Sequence, residues 1–202
     1  MSKYTFSNPF IKILFFSISL LLNSIEAVEI RAEIHNCLNV QAILMSENAD
    51  YQGDYAFKDH IYSDLNSHKN LNNEFFRIRE YQITRWEQKP VVAIYKIRDL
   101  QLQNHQILFE KEFNTVDQAR QYIPKHFSNR CSFFRHGWEY RLNNMRIFVE
   151  EIDRLPPSIE IIAGTQEEIF NLFSKINIVN ILPDSVPEWY CKSNEDLTNQ
   201  KF

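Results

Sequence analysis

Glycine is nearly missing from this chain of 202 residues, which contains only Gly53, Gly137 and Gly164. Neither a glycine-rich P-loop nor a G-x-G-x-x-G dinucleotide turn can be written with glycines so far apart, so nucleotide chemistry of those two kinds is excluded. A basic excess is missing as well. The 22 Lys and Arg face 26 Asp and Glu for a net charge of -4, which argues against a generic nucleic-acid binder. Cysteine is scarce: Cys37, Cys131 and Cys191 match no zinc spacing, and an odd number fits at most one disulfide plus a free thiol. Their expected role is that of small buried hydrophobes. The six histidines show no metal-ligand spacing either. What the chain has in plenty is aromatic and aliphatic mass, 44% hydrophobic with 16 Phe and 9 Tyr. That is enough for a packed core and excludes wholesale disorder.

The first 27 residues differ from the rest. Lys3 and Lys12 precede an apolar run over 13–22, and Ala27 closes the segment. This is the layout of a secretory signal, too short to span a bilayer comfortably, and it predicts an exported, periplasmic or secreted, protein. The alternatives are a cytoplasmic chain or an N-terminal hydrophobic anchor. No stable membrane span follows. The expected organisation is a signal or hydrophobic segment over 1–27, one domain over 28–178 and a partly disordered extension over 179–202. In that extension, segment 185–191 carries Trp189 and offers a lesser alternative, packing back over the domain as a lid.

From Val28 onward the dominant signal is period-2 alternation. It predicts strands over 28–34, 56–63, 74–82, 90–98, 105–113, 131–142, 145–152 and 157–163. Helices are expected over 39–48, 115–126 and 165–177, the last capped by Thr165. Asn143-Asn144 provides a hairpin turn between two alternating runs. The fold class is therefore α+β and mostly antiparallel. Side chains two apart share a strand face, which groups Glu29, Arg31 and Glu33; Arg77 with Arg79; Lys96 with Arg98; Glu110 with Glu112; and Arg146 with Glu150. Arg135 and Glu160 stand on the polar side of their own strands.

Two architectures stay open at this point. In one, an open sheet simply exposes its charged face to water. In the other, eight strands close into a barrel with the charged faces inward and helices outside. Such an interior would be intolerable empty, because unpaired buried charge costs several kcal/mol per ion. It makes sense if acids, a metal and a polyanion share the space. Seven bases (Arg31, Arg77, Arg79, Lys96, Arg98, Arg135 and Arg146) against six acids (Glu29, Glu33, Glu110, Glu112, Glu150 and Glu160) suit that idea. Arginine forks grip phosphate oxygens and carboxylates hold a hard divalent ion.

The ordered set of strands resembles the CYTH superfamily, the triphosphate-tunnel fold of class IV adenylyl cyclases and thiamine triphosphatases. Val28-Glu-Ile-Arg-Ala-Glu-Ile34 resembles the opening E-x-E-x-K strand, and residues 59–64 (DHIYSD) the D-x-Y-F-D strand. Phe76-Arg-Ile-Arg-Glu80 is similar to L-R-I-R-E, and Ala93-Ile-Tyr-Lys96 to L-T-Y-K. Residues 110–112, 134–135, 146–150 and 155–164 follow in the family's order. The resemblance implies a triphosphate or polyphosphate ligand held by Arg77, Arg79, Lys96 and Arg135. It implies Mg²⁺ or Mn²⁺ on Glu29, Glu110, Glu112, Glu150 and Glu160, with Arg31, Glu33, Arg98 and Arg146 unassigned. Departures are visible: Arg31 stands for the second Glu of the opening motif and Glu33 for its Lys, Phe133 for a Lys, and Ile162 for the last acid. Three functions are compatible with this reading: a metal-dependent triphosphatase or cyclase, a non-catalytic polyanion-binding module, and a structural or interaction domain.

Overall fold

The computed structural model describes residues 27–64, 74–83, 89–99, 104–183 and 185–199. The elements run β1 (Val28–Ile34), α1 (Cys37–Ser46), β2 (Asp50–Asp64), β3 (Glu74–Ile83), β4 (Val91–Asp99) and β5 (Asn104–Phe113). Then follow α2 (Val116–Arg120), β6 (Phe127–Leu142), β7 (Met145–Ile152), β8 (Ser158–Ala163), α3 (Gln166–Phe173), β9 (Ile178–Leu182) and α4 (Val186–Asn199). All eight expected strands are present, and β9 is a ninth. The predicted signal segment lies outside the described residues, apart from Ala27.

The strands form one antiparallel sheet in the order β5-β4-β3-β2-β6-β7-β8-β1-β9. The α+β, antiparallel expectation holds, with the ladder left open: β5 and β9 are its two edges. The sheet is nevertheless strongly curled. Lys96 on β4 and Glu29 on β1 have five strands between them, about 29 Å in a flat sheet at ~4.8 Å per strand. Yet Arg79 and Tyr81 on β3 line one cavity with Glu160 on β8, across β2, β6 and β7, so the sheet wraps around a concave face, and the Glu29 charge reaches the Lys96 ammonium.

The convex face carries most of the apolar packing. Helices α1 and α3 cover β1, β7 and β8 through Val40, Leu44, Ile169, Leu172 and Phe173, against Ala32, Ile147, Val149, Ile159 and Ile161. Thr165 caps α3 as expected, in a reciprocal box with Glu168. Helix α2 is much shorter than the expected 115–126 and packs Ala119 over Phe76, Ile78, Ala93 and Phe113. The β6–β7 hairpin turns at Asn143, whose φ of 53° is the left-handed conformation Asn tolerates.

Helix α4 realises the alternative in which segment 185–191 packs back over the domain: it lays Val186, Tyr190 and Cys191, with Trp189 beside them, against Ile61, Phe75, Phe133 and Ile152. Those four residues share their strand faces with Asp59, Arg77, Arg135 and Glu150, so the helix closes one end of the concave face. A Cys131–Cys191 disulfide fastens it to β6. The expectation of three small buried hydrophobes therefore holds only for Cys37, a buried free thiol pushed up to about 12 by burial and then by the charges of Glu151 and Glu150.

Candidate functional site

Alternation on β2, β3, β6 and β7 sets three successive layers along the concave face. Nearest α4 lies the apolar layer just described. Beyond it comes a belt of charge, and beyond that an aromatic-walled cavity of about 350 Å³. Tyr55, Phe57, Tyr81 and Phe148 form much of its wall, with Arg79, Arg135, Arg146, Glu139, Glu150 and Glu160 among its polar lining. Arg146 and Ile83 are well exposed and mark its mouth.

The belt is built on two buried carboxylates. Asp59 is fully buried and takes both prongs of the Arg79 fork, Nε at 2.8 Å and Nη2 at 2.9 Å. Arg135 Nη2 lies 3.8 Å from the same carboxylate. Burial alone would raise the Asp59 carboxyl, but Arg79, Arg77 and Arg135 outweigh it and hold it at about 2. Glu150, 2% exposed, receives Tyr55 Oη at 2.6 Å and Arg135 Nη1 at 3.0 Å on Oε1, and Arg31 Nη1 on Oε2. Its carboxyl too is held at about 2, with Arg135 and Arg31 overcoming burial. Tyr55 reaches Glu150 because Gly137 lies beneath its ring: a Cβ at 137 would meet the ring at 2.5 Å. Burial, then the Glu150 charge, pushes the Tyr55 hydroxyl well above its usual range, so it stays a donor.

The guanidinium groups stack as well as pair. Arg79 lies 3.6 Å over the Phe57 ring, and Arg135 approaches the same ring at 5.2 Å. Arg77 behaves differently. Burial, and then the neighbouring Arg79 charge, pulls it down to about 10. Its Nε and that of Arg135 are buried with no hydrogen-bond partner among the described residues. Lys96 sits farther along on β4, lowered to about 8 by burial and by Arg77, with Glu29 and Glu110 opposing.

The structure thus gathers Arg77, Arg79, Arg135, Glu150, Arg31, Glu160 and Arg146 on one concave surface, with Lys96 on the same surface. It does not gather the expected metal set. Glu29, Glu110 and Glu112 are exposed, Glu33 is half-buried on β1, and the Arg98 side chain lies outside the described residues. Among the described residues no three His, Cys, Asp or Glu side chains come together to hold a metal ion. The donor set explains why: Glu150 and Glu160 share the Arg31 guanidinium, which occupies the space between them. Paired in this way, Glu150 and Glu160 do not fit a divalent ion.

Sequence reasoning missed three members. Asp59 entered only as part of a motif, although its place two residues from Phe57 and Ile61 puts it on their face. Glu139 shares the strand face of Arg135 by parity but was not counted among the site acids, and it accepts from Arg146 at 3.3 Å. Tyr55 lay outside the expected start of its strand.

No family model matches the chain, and no curated protein does. Solved structures do. A Pyrococcus horikoshii protein superimposes with a TM-score of 0.66 at 15% identity, over 83% of this chain and 99% of that one. A Vibrio parahaemolyticus protein described as a candidate adenylate cyclase gives 0.62 at 10% identity, over 80% and 95%. A Bacillus halodurans protein of the same description gives 0.52 at 10% identity, over 79% and 94%. The chain shares the α+β fold of these proteins, a curled antiparallel sheet with helices on its convex side.

Proposed function

We propose that the chain is a divergent CYTH-type domain whose concave face binds a compact polyanion, a triphosphate or short polyphosphate, as a binding module. One observation carries this reading: Arg77 and Arg135 each bury an Nε–H with no acceptor among the described residues. A buried donor left unpaired costs about 1–3 kcal/mol, which anionic oxygens bound along the concave face would recover. The belt holds four guanidinium groups (Arg31, Arg77, Arg79 and Arg135) against three carboxylates (Asp59, Glu150 and Glu160), so it is cationic before ligand arrives. The description of two fold neighbours as candidate adenylate cyclases adds support for a triphosphate-type ligand. Asp59 and Glu150 are both poor proton acceptors at about 2, which favours binding over general-base hydrolysis. No step here passes through a metal. The disulfide supports export of the mature domain to an oxidising compartment, in which case the exported chain begins near Val28; a full-length product confined to the cytosol would sink that part.

Tripolyphosphate in excess raises the melting temperature of the wild type, since a ligand at a hundred times its Kd adds about 2.7 kcal/mol. Arg77→Gln, which orphans no hydrogen-bonded carboxylate, keeps the fold and loses that shift. Equal shifts in both proteins would end the assignment, and phosphate release in the same samples would replace a binding module by a hydrolase. The affinity also has a pH signature. Lys96 at about 8 is charged below that value, and an adjacent anion holds its proton. Binding therefore weakens as the pH rises through 8, and Lys96→Met removes this dependence. An identical pH profile in the variant, read by titration calorimetry, would exclude Lys96 from the site.

A further inference from the structure

We propose that Arg31 is a resident cation standing where a divalent ion would sit between Glu150 and Glu160, so that this cavity takes a free polyanion rather than its metal chelate. The proposal rests on the polyanion-binding reading and names the ionic form of ligand the site selects.

The geometry is specific. Arg31 on β1 sits directly across the ladder from Glu160 on β8. Its Nη2 donates to Glu160 Oε2 and its Nη1 to Glu150 Oε2. Nη1 also lies 3.1 Å from Oγ of Ser158, which is wholly buried. The guanidinium is 7% exposed, and its planar fork leaves little room for a different arrangement.

Divalent magnesium or calcium demands six or more oxygens at close range and gathers carboxylates to supply them. Here both oxygens of Glu150 are already taken, Oε2 by Arg31 and Oε1 by Tyr55 and Arg135. A metal entering this pair would have to expel a guanidinium from a buried position and sit beside its charge. A naked polyanion faces no such conflict. It meets a belt whose carboxylates are already neutralised and whose Arg77 and Arg135 still offer donors. A chelated polyanion arrives with part of its charge cancelled, and its metal finds each of the belt's three carboxylates already paired with a guanidinium.

Calorimetry on the full chain tests this. Tripolyphosphate binds in EDTA at least as tightly as in excess Mg²⁺, and Mn²⁺ alone, followed by loss of its free-ion electron paramagnetic resonance signal, does not bind. Arg31→Gln removes the guanidinium, which frees the two carboxylates, and leaves a shorter neutral amide in its place. That variant gains Mn²⁺ binding, and Glu160→Gln added to it removes the gain. A tenfold or larger loss of wild-type affinity in EDTA would overturn the proposal, as would Mn²⁺ binding by the wild type that Glu160→Gln abolishes. A folded Arg31→Gln protein that stays blind to Mn²⁺ would overturn it as well. If that variant fails to fold, the wild-type comparison of EDTA with Mg²⁺ decides. If no polyanion binds under any condition, the polyanion reading itself fails, while the Mn²⁺ measurements still judge the role of Arg31.

Discussion

Glu150→Gln destabilises the protein by about 3–5 kcal/mol, the scale on which removing one partner of a buried ion pair leaves the other uncompensated. The carboxylate is 2% exposed and serves Arg31, Arg135 and Tyr55 together. The amide keeps the shape and one acceptor, but turns its NH₂ donors toward guanidinium N–H groups. Urea denaturation at neutral pH reads the loss directly; a change below about 1 kcal/mol, the size seen for exposed pairs, would show the belt to be hydrated. The pH dependence gives an independent reading. Glu150 and Asp59 are both held at about 2, against ordinary values of 4.5 and 3.8. A carboxyl depressed on folding contributes stability that is present above its ordinary value and is lost as the pH falls through the folded one. Wild-type stability therefore declines between about pH 5 and pH 2, and Glu150→Gln declines less steeply because only Asp59 remains to be protonated. Arg31→Gln costs less on the Glu150→Gln background than it does alone, because Arg31 has by then lost one of its two carboxylate partners and keeps only Glu160. A double variant as unstable as the sum of its parts would exclude coupling between them.

Much of this arrangement could be read in advance, for a simple reason. On a strand with one polar and one apolar side, parity alone decides which residues meet, so the gathering of Arg77 with Arg79 and of Arg146 with Glu150 needed no tertiary information. The bounds of β1 and β7 were legible for the same cause. Parity does not report distance across the sheet, however. Glu110 and Glu112 have the right parity on β5, but β5 is an edge strand, and both stay exposed while the belt forms on β1, β2, β3, β6, β7 and β8. Asp59 was obscured because the carboxylate is neutralised by a residue twenty positions away, a pairing that only the β2–β3 register creates. Strand β9 escaped notice because Ile178–Leu182 barely alternates and its pairing with β1 is what makes it a strand. Helix α2 stops at Arg120, and Pro124 follows where the apolar period alone continues. Helix α4 has apolar residues at 186, 190 and 191, spacing that suits a helix, but its polar second half and the Pro187 beside its start concealed it. Phe133, which reads as a lost basic residue when the strand is compared with its family, has a positive purpose in the structure. It is part of the apolar seat for Tyr190, at a ring separation of 4.7 Å.

Breaking the Cys131–Cys191 bond should therefore cost both stability and affinity. The bridge closes a sequence separation of 60 residues, for which the loss of denatured-chain entropy is worth ~4 kcal/mol. In a domain of this size that corresponds to a fall in melting temperature of about 8–16 °C. Cys191→Ser, Cys131→Ser and the double variant all remove the same bond, so the three fall together, and thiol reduction of the wild type matches them. Scanning calorimetry reads the fall; a wild type whose melting is indifferent to dithiothreitol would show that packing alone holds α4. Hydrogen exchange adds the location. With the bond broken, amides of Val186–Asn199 lose protection before those of β6 and β7, because the helix has no strand partner and depends on the seat formed by Ile61, Phe75, Phe133 and Ile152. The consequence for the ligand follows from dielectric. With α4 seated at this end of the concave face, Arg77 is partly desolvated before any anion arrives. Opened at the far end, the same guanidinium is hydrated, its unpaired Nε finds water, and the incoming polyanion must displace that water for a weaker interaction. Tripolyphosphate should thus bind the reduced protein more weakly than the oxidised one at a temperature where both are folded. Equal affinities would separate the two ends of the cavity, leaving the helix a structural staple with no part in recognition.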